Sequence, residues 1–218
     1  MKNNKTELVF ILDRSGSMEG LEKDTIGGFN SMLKKQKAID GECLITTVLF
    51  DNTLELLHDR IDIRAVHPLT EKDYEVGGCT ALLDAIGSTI TKIRKVQKYT
   101  SDEYRAENVL FVIITDGFEN ASREYSSDQV KQMIETQKKE SGWKFIFLGA
   151  NIDAVETAGH IGIAPEWAQS FRADSCGVRL NFGGINSLAS SMRKSESSDC
   201  APADWKEAIQ KHFEKKSK

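Results

Sequence analysis

The chain has 218 residues, 39% of them hydrophobic and 28% charged, and its 33 acidic and 29 basic residues give a net charge of −4. This composition is typical of a soluble globular protein and excludes a disordered chain, a collagen-like fibre and a disulfide-stapled miniprotein. The acidic balance argues against direct nucleic-acid binding, which usually needs a basic face.

We expect neither a secretion signal nor a membrane anchor at the start of this sequence. The longest apolar run near the start, residues 8–12, is too short for either. The cysteines are far apart and form no C-x-x-C pair, so neither a zinc site nor a disulfide framework is indicated. They are Cys43, Cys79, Cys176 and Cys200. We therefore expect a cytoplasmic protein with reduced thiols and no membrane contact.

The first part of the chain predicts a strand, a helix and a hairpin. Residues 7–13 form an apolar run that ends in an acid, which is typical of a buried strand in a parallel sheet. The turn-rich stretch 14–20 precedes a helix with an apolar face. That face contains Ile26, Phe29, Met32 and Leu33. Residues 43–50 and 53–57 predict two strands joined by a tight turn, so one edge of the sheet should be antiparallel.

The middle of the chain continues the alternation. Residues 59–76 form a polar connection, and residues 82–93 have the periodicity of a long amphipathic helix. Residues 97–107 are polar and predict a solvated loop. Residues 109–115 are rich in β-branched side chains and predict another buried strand.

The following segment predicts three short elements and a helix start. Ser126 and Gln129 have the spacing of a capping box, which opens a helix. Residues 145–148 predict a buried strand, residues 154–158 a short helix and residues 168–171 a weak strand.

The C-terminal part predicts two helices and a linker. Residues 185–192 carry an apolar stripe at helical spacing, and residues 195–203 are small and polar, as in a linker. Asp204 and Glu207 suggest a second capping box that opens the last helix. The apolar side of that helix is predicted to contain Trp205, Ile209 and Phe213.

Strands that alternate with helices predict an α/β fold. We expect a three-layer, Rossmann-like, doubly wound sheet. It should be mostly parallel with one antiparallel edge strand, and it should be flanked by helices.

Polar side chains stand out at three places among the predicted elements. Asp13, Ser15 and Ser17 come at the end of the first strand, Thr80 follows a double glycine, and Asp116 follows the strand 109–115. Ligands of open α/β sheets bind in the crevice outside the carboxyl ends of the strands, where the strand order reverses. These five side chains can therefore converge if the two strands are neighbours.

The five side chains offer two carboxylates and three hydroxyls, with no histidine or thiol among them. Such hard oxygen donors suit Mg²⁺ or Mn²⁺ rather than zinc. Local structure is the alternative at each position: Asp13, Ser15 and Ser17 suit a helix cap and turn, Thr80 suits a helix cap, and Asp116 suits a turn. The nearby Glu119 and Asn120 could support these ligands from behind, but we expect them to be solvated loop residues.

The three motifs together resemble the metal-ion-dependent adhesion site of von Willebrand factor A domains. They are Asp13-Arg-Ser-Gly-Ser17, Gly78-Cys-Thr80-Ala-Leu and Thr115-Asp116-Gly117, and they occur in the order of that site. The resemblance extends over about residues 7–193 and is strongest to stand-alone bacterial and phage members. It places the domain at residues 1–194 and leaves 195–218 as a polar linker and C-terminal helix.

The resemblance implies a metal-dependent protein-interaction module rather than an enzyme. Ser15, Ser17 and Thr80 would be ligands of Mg²⁺ or Mn²⁺, and Asp13 and Asp116 would hold the ion partly through water. An aspartate or glutamate of a partner protein would take the open coordination position. The protein is expected to be a monomer on its own and not to bind nucleic acid directly.

Two other functions are compatible with parts of the sequence. A strand-end aspartate beside a metal is similar to the site of haloacid-dehalogenase-like phosphatases, which would make this a phosphoryl-transfer hydrolase. Those enzymes need a second aspartate two positions later, where this chain has Ser15. An accessory subunit of a nucleic-acid complex is the other alternative, because some proteins with this domain type act in such complexes.

Overall fold

The computed structural model describes residues 5–194 and 204–215. The strands in this part of the chain are β1 (Thr6–Asp13), β2 (Cys43–Phe50), β3 (Leu54–Asp62), β4 (Asn108–Thr115), β5 (Lys144–Ala150) and β6 (Ala168–Phe171). The α-helices are α1 (Glu22–Lys37), α2 (Leu82–Tyr99), α3 (Ser127–Ser141), α4 (Ala154–His160), α5 (Ser175–Arg193) and α6 (Glu207–Glu214).

The strands form one sheet in the order β3-β2-β1-β4-β5-β6. All neighbouring pairs are parallel except β2 and β3, which are antiparallel and form the predicted edge. From β1 the chain first moves outward to β2 and β3, and it then crosses back to β4 on the other side of β1. The carboxyl ends of β1 and β4 therefore lie at the point where the strand order reverses, as predicted.

Helices pack on both faces of the sheet because its central strands are apolar on both sides. Every residue of β1 is buried, and so are seven of the eight residues of β4. Right-handed crossovers in opposite directions from β1 place the connecting helices on opposite faces. Helix α1 packs with α5, and α2 packs with α3. This arrangement confirms the predicted α/β fold.

Three element boundaries differ from the sequence prediction. Strand β3 continues to Asp62 and includes residues that the sequence assigned to a polar connection, because an edge strand can direct charged side chains to solvent. Helix α2 continues to Tyr99, since Gln97 is buried and donates a hydrogen bond to Glu7. Helix α5 begins at Ser175, ten residues before the predicted start, and the Asp174 side chain caps it.

Of the two capping boxes that the sequence predicts, the structure contains one. The capping box of Ser126 and Gln129 is confirmed. The second one, of Asp204 and Glu207, is wrong: α6 begins only at Glu207, and Lys206 at its cap position makes no side-chain cap bond. Residues 204–206 instead form a turn, in which the side chains of Trp205 and Lys206 bind backbone carbonyls of residues 165–168. The predicted linker, residues 195–203, lies outside the described residues.

Helix α6 packs beside the edge strand β6 and against α5. Trp205 is buried and its Nε1 donates to the carbonyl of Glu166, while Lys206 Nζ donates to the carbonyls of Pro165 and Ala168. Covering an edge strand in this way protects its unpaired backbone groups from other chains.

Two adjacent glycines of α5 test this packing. A Cβ at Gly184 would lie 2.5 Å from the backbone oxygen of Trp205, whereas a Cβ at Gly183 would meet nothing within 4 Å. We expect Gly184→Ala to lower the free energy of unfolding by about 1–3 kcal/mol, because backbone must move to accept the methyl group. Gly183→Ala is the matched control and should raise it by about 0.5–1 kcal/mol through helix propensity. If urea denaturation shows the same change in the free energy of unfolding for both variants, residues 204–215 do not pack on α5.

Within the described ranges, no helix combines the length and apolarity needed to cross a bilayer. Cys43, Cys79 and Cys176 are free thiols, while Cys200 lies outside those ranges. Burial raises the pKa of Cys43 to about 12, so this thiol stays protonated at neutral pH.

Candidate metal centre

Asp13 ends β1 and is fully buried at the carboxyl edge of the sheet. One carboxylate oxygen accepts the backbone N–H of Ser15 at 2.7 Å, and the other accepts the hydroxyl of Thr115 at 2.6 Å. The Tyr74 hydroxyl donates to the backbone carbonyl of Asp13. Burial raises the pKa of Asp13 above its ordinary value, although the hydrogen bonds from Ser15 and Thr115 oppose the shift.

The loop after β1 brings two hydroxyls together. A single 3₁₀ turn, Gly16–Met18, follows Ser15 and places Ser15 Oγ 3.0 Å from Ser17 Oγ. The Ser17 hydroxyl also donates to an oxygen of Asp116 at 2.5 Å, across 99 positions of sequence. The two predicted clusters at the ends of β1 and β4 therefore meet.

The second loop is held against the first by backbone hydrogen bonds. Gly77 donates to the carbonyl of Arg14 at 2.9 Å, and Gly16 donates to the carbonyl of Gly78 at 3.1 Å. Gly78 has a φ of 77°, and a Cβ there would lie 2.3 Å from Oδ1 of Asn52. Glycine at this position therefore allows the loop that carries Thr80 to lie close to the turn between β2 and β3.

Thr80 and Ser17 face the same space above Gly117. A Cβ built on Gly117 would be 3.0 Å from Ser17 Oγ and 3.4 Å from Thr80 Oγ1. Because both hydroxyls approach a single point, the structure brings the third predicted cluster to the other two.

Asp116 carries the feature that most directly indicates cation binding. Its side chain is buried, and its second oxygen, Oδ2, has no hydrogen-bond partner. Burial raises the pKa of this carboxyl, and the nearby charge of Asp13 raises it further. Two buried carboxylates next to one another are costly unless a cation offsets their charge.

The nearest basic side chain in the motif does not offset that charge. Arg14 forms ion pairs with Asp51 at 3.1 Å and Glu55 at 2.5 Å. Among the described residues, no group of three or more histidine, cysteine or acidic side chains could hold a metal ion. A cation at this centre would therefore depend on the hydroxyls of Ser15, Ser17 and Thr80, and such an oxygen-only donor set fits a hard divalent ion.

Several residues outside the five predicted ones support the centre. Glu119 accepts the backbone N–H of Leu83, and Asn120 Oδ1 accepts that of Thr80, so neither is simply a solvated loop residue. Asp84 accepts three backbone N–H groups of residues 123–125. These bonds fix the loop after β4 to the start of α2. No local pattern in the sequence predicts these hydrogen bonds, because each joins residues more than 35 positions apart.

Solved structures with the same fold include von Willebrand factor A domains. A von Willebrand factor type A protein from Catenulispora acidiphila has 12% sequence identity over 86% of this chain, with a TM-score of 0.54. The manganese-loaded TRAP protein of Plasmodium vivax has 19% identity over 81%, with a TM-score of 0.57. Proximal thread matrix protein 1 of the mussel byssus, with a zinc-occupied MIDAS motif, has 13% identity over 85%, with a TM-score of 0.56.

These matches concern the fold and not the whole proteins. The chain spans 43% of the Catenulispora chain, 46% of the byssus chain and 71% of the TRAP chain, and 64% of a further match, a minor pilin of Streptococcus sanguinis. No protein-family model and no curated protein sequence matches this chain. Neighbours with this fold thus include proteins that hold manganese or zinc, at identities that establish the architecture alone.

Proposed function

We propose that this chain is a divalent-metal-dependent protein-interaction module. Its metal centre, formed by Asp13, Ser15, Ser17, Thr80 and Asp116, would bind Mg²⁺ or Mn²⁺ and accept a carboxylate from an aspartate or glutamate of a partner protein. The observation that carries the proposal is the buried, unpartnered Oδ2 of Asp116 beside three converging hydroxyls.

The residues divide into two roles. Ser15, Ser17 and Thr80 would be direct ligands, because their hydroxyl oxygens face a common space and carry no charge of their own. Asp13 and Asp116 would supply the negative charge, partly through water. With neutral hydroxyls as ligands, a bound divalent ion stays electron-poor and favours an outside carboxylate as a further ligand.

A binding role is favoured over catalysis by the state of Asp13. Both of its oxygens accept hydrogen bonds, and the side chain is fully buried. It is therefore poorly placed to attack a phosphoester, and Ser15 stands where a phosphatase would need its general acid. We propose a non-enzymatic protein that is cytoplasmic, monomeric on its own and without direct contact to nucleic acid.

Isothermal titration calorimetry with MgCl₂ and MnCl₂ tests the metal site. The unmodified protein should bind one ion, and Asp13→Ala should abolish the binding. Because Asp13 is buried, Ser17→Ala at an exposed position is a second variant, which should weaken binding at least about tenfold. Ser31→Ala, an exposed serine of α1, is the matched control and should bind normally.

Two results would contradict this proposal. Equal binding by the unmodified protein and Asp13→Ala would exclude the metal centre. Hydrolysis of p-nitrophenyl phosphate that is lost in Asp13→Asn would favour the hydrolase instead.

A further inference from the structure

A groove lies beside the metal centre, where β4, β5 and β6 end. Its volume is about 500 Å³. The side chains that line it include Phe118, Ile152, Phe171, Arg172, Asp174 and Phe213. This volume falls in the range of about 300–1,000 Å³ that is typical of pockets for organic groups.

Both exposed phenylalanines of the protein line this groove. The sequence has ten phenylalanines, and eight of them are buried. The other two are Phe118, which is 68% exposed, and Phe213, which is 39% exposed. Exposing two large aromatic rings at one place costs solvation free energy, and such a patch often marks a binding surface.

The polar groups of the groove are already bonded within the protein. Asp153 caps α4 by accepting the N–H of Glu156, and Asp174 caps α5 by accepting that of Gly177. Arg172 forms an ion pair with Asp174 at 3.2 Å. The groove therefore offers an incoming group the apolar rings of Phe118 and Phe213 beside polar groups that already have partners.

The groove is continuous with the metal centre. Phe118 is two residues after Asp116, so their Cα atoms are at most about 7 Å apart. Asn151, on the wall of the groove, donates its side-chain N–H to the backbone carbonyl of Asp116 at 3.4 Å. A short extended peptide could therefore reach both places at once.

We propose that this groove binds a large aromatic or aliphatic side chain of the same partner segment whose carboxylate reaches the metal. The inference rests on the proposed function and adds a specificity to it: the partner carries an acidic residue with a large apolar residue within a few positions. The metal would select the carboxylate, and the groove would select among the many acidic segments of other proteins.

Synthetic peptides provide the test. Four have the form Gly-Gly-Asp-(Gly)n-Phe-Gly with n from 0 to 3, and four matched peptides carry alanine in place of phenylalanine. Affinities are measured by NMR titration of the full chain at millimolar peptide, with MgCl₂ and with EDTA. We expect at least one phenylalanine peptide to bind about tenfold more tightly than its alanine partner, as burial of the ring predicts.

Phe118→Ser should abolish this preference without changing the affinity for Mg²⁺, because its side chain makes no part of the metal centre. Tyr99→Ser is the matched control, since Tyr99 is 76% exposed at the end of α2, and it should keep the preference.

The outcomes separate this inference from the proposed function. If no peptide binds in a metal-dependent way, the proposed function fails. If both peptide series bind equally well with Mg²⁺, the proposed function stands and the groove is not a docking site. Self-association in sedimentation experiments that Phe118→Ser removes would assign the groove to a second copy. If the preference for phenylalanine appears only when residues 216–218 are removed, the groove is occupied by the chain's own C-terminal residues.

Discussion

Replacing Asp116 by asparagine is expected to abolish stabilisation by Mg²⁺ while leaving the metal-free protein at least as stable as before. The Asp116 side chain is buried, and one of its oxygens has no partner. Asparagine keeps the shape of the side chain and removes the charge that is costly to bury. The variant should therefore fold, but it should lose the charge that a cation needs.

The expected size of the effect follows from linkage. A ligand at a hundredfold excess over its Kd stabilises a protein by about 2.7 kcal/mol. For a chain of this size, that corresponds to a rise in melting temperature of about 5–10 °C. Calorimetric melting with MgCl₂ and with EDTA should show this rise in the unmodified protein and none in Asp116→Asn. Asp40→Asn, at an exposed position, is the control and should keep it. A rise of the same size in Asp116→Asn would refute the assigned role of this carboxylate.

The pH dependence has a definite sign. The pKa values of Asp13 and Asp116 are raised in the folded protein, mainly by burial. Because the folded state holds these protons more tightly than the unfolded state, the metal-free protein loses stability as the pH rises above about 3.8 and through the raised pKa values. Metal binding needs ionised carboxylates, so the gain from Mg²⁺ should grow over the same range. In Asp116→Asn both trends should be weaker.

Replacing Arg60 by methionine is expected to cause the largest loss of stability. Arg60 Nε donates to an oxygen of Glu7 at 2.9 Å, and the Glu7 side chain has no exposed surface. The other oxygen of Glu7 accepts a hydrogen bond from Gln97 at 2.8 Å. Removing one partner of a buried ion pair costs about 3–5 kcal/mol, because it leaves the other charge buried. Urea denaturation at pH 8 measures the loss.

The loss should be smaller at pH 5. Burial already raises the pKa of Glu7 against the opposing effect of Arg60, and without Arg60 the pKa rises further. A raised pKa of an acid means that stability falls as the pH rises, so Arg60→Met should be more stable at pH 5 than at pH 8. Adding Glu7→Gln should recover most of the loss at pH 8. A loss below about 1 kcal/mol at pH 8 would contradict the ion pair's role.

The local properties of the sequence determined the architecture. Apolar runs such as residues 109–115 are short and rich in β-branched side chains, which indicates buried strands, and helical periodicity between them indicates an α/β sheet. The residues of the candidate centre were also visible, because Asp13 and Asp116 each end a predicted strand and Thr80 precedes a predicted helix. Their convergence was inferred on the condition that the first strand and the strand 109–115 are neighbours, and in the strand order β1 and β4 are neighbours.

Other features depend on contacts between distant parts of the chain, and only the tertiary structure decided them. Thr115 binds Asp13 across 102 positions, and Glu119 fixes the start of α2 across 36. The groove between Phe118 and Phe213 exists because α6 returns along β6, and no periodicity predicts that return. Local pattern reports which face of an element is apolar. It does not predict which distant element will pack against that face, or whether the face will stay exposed to solvent.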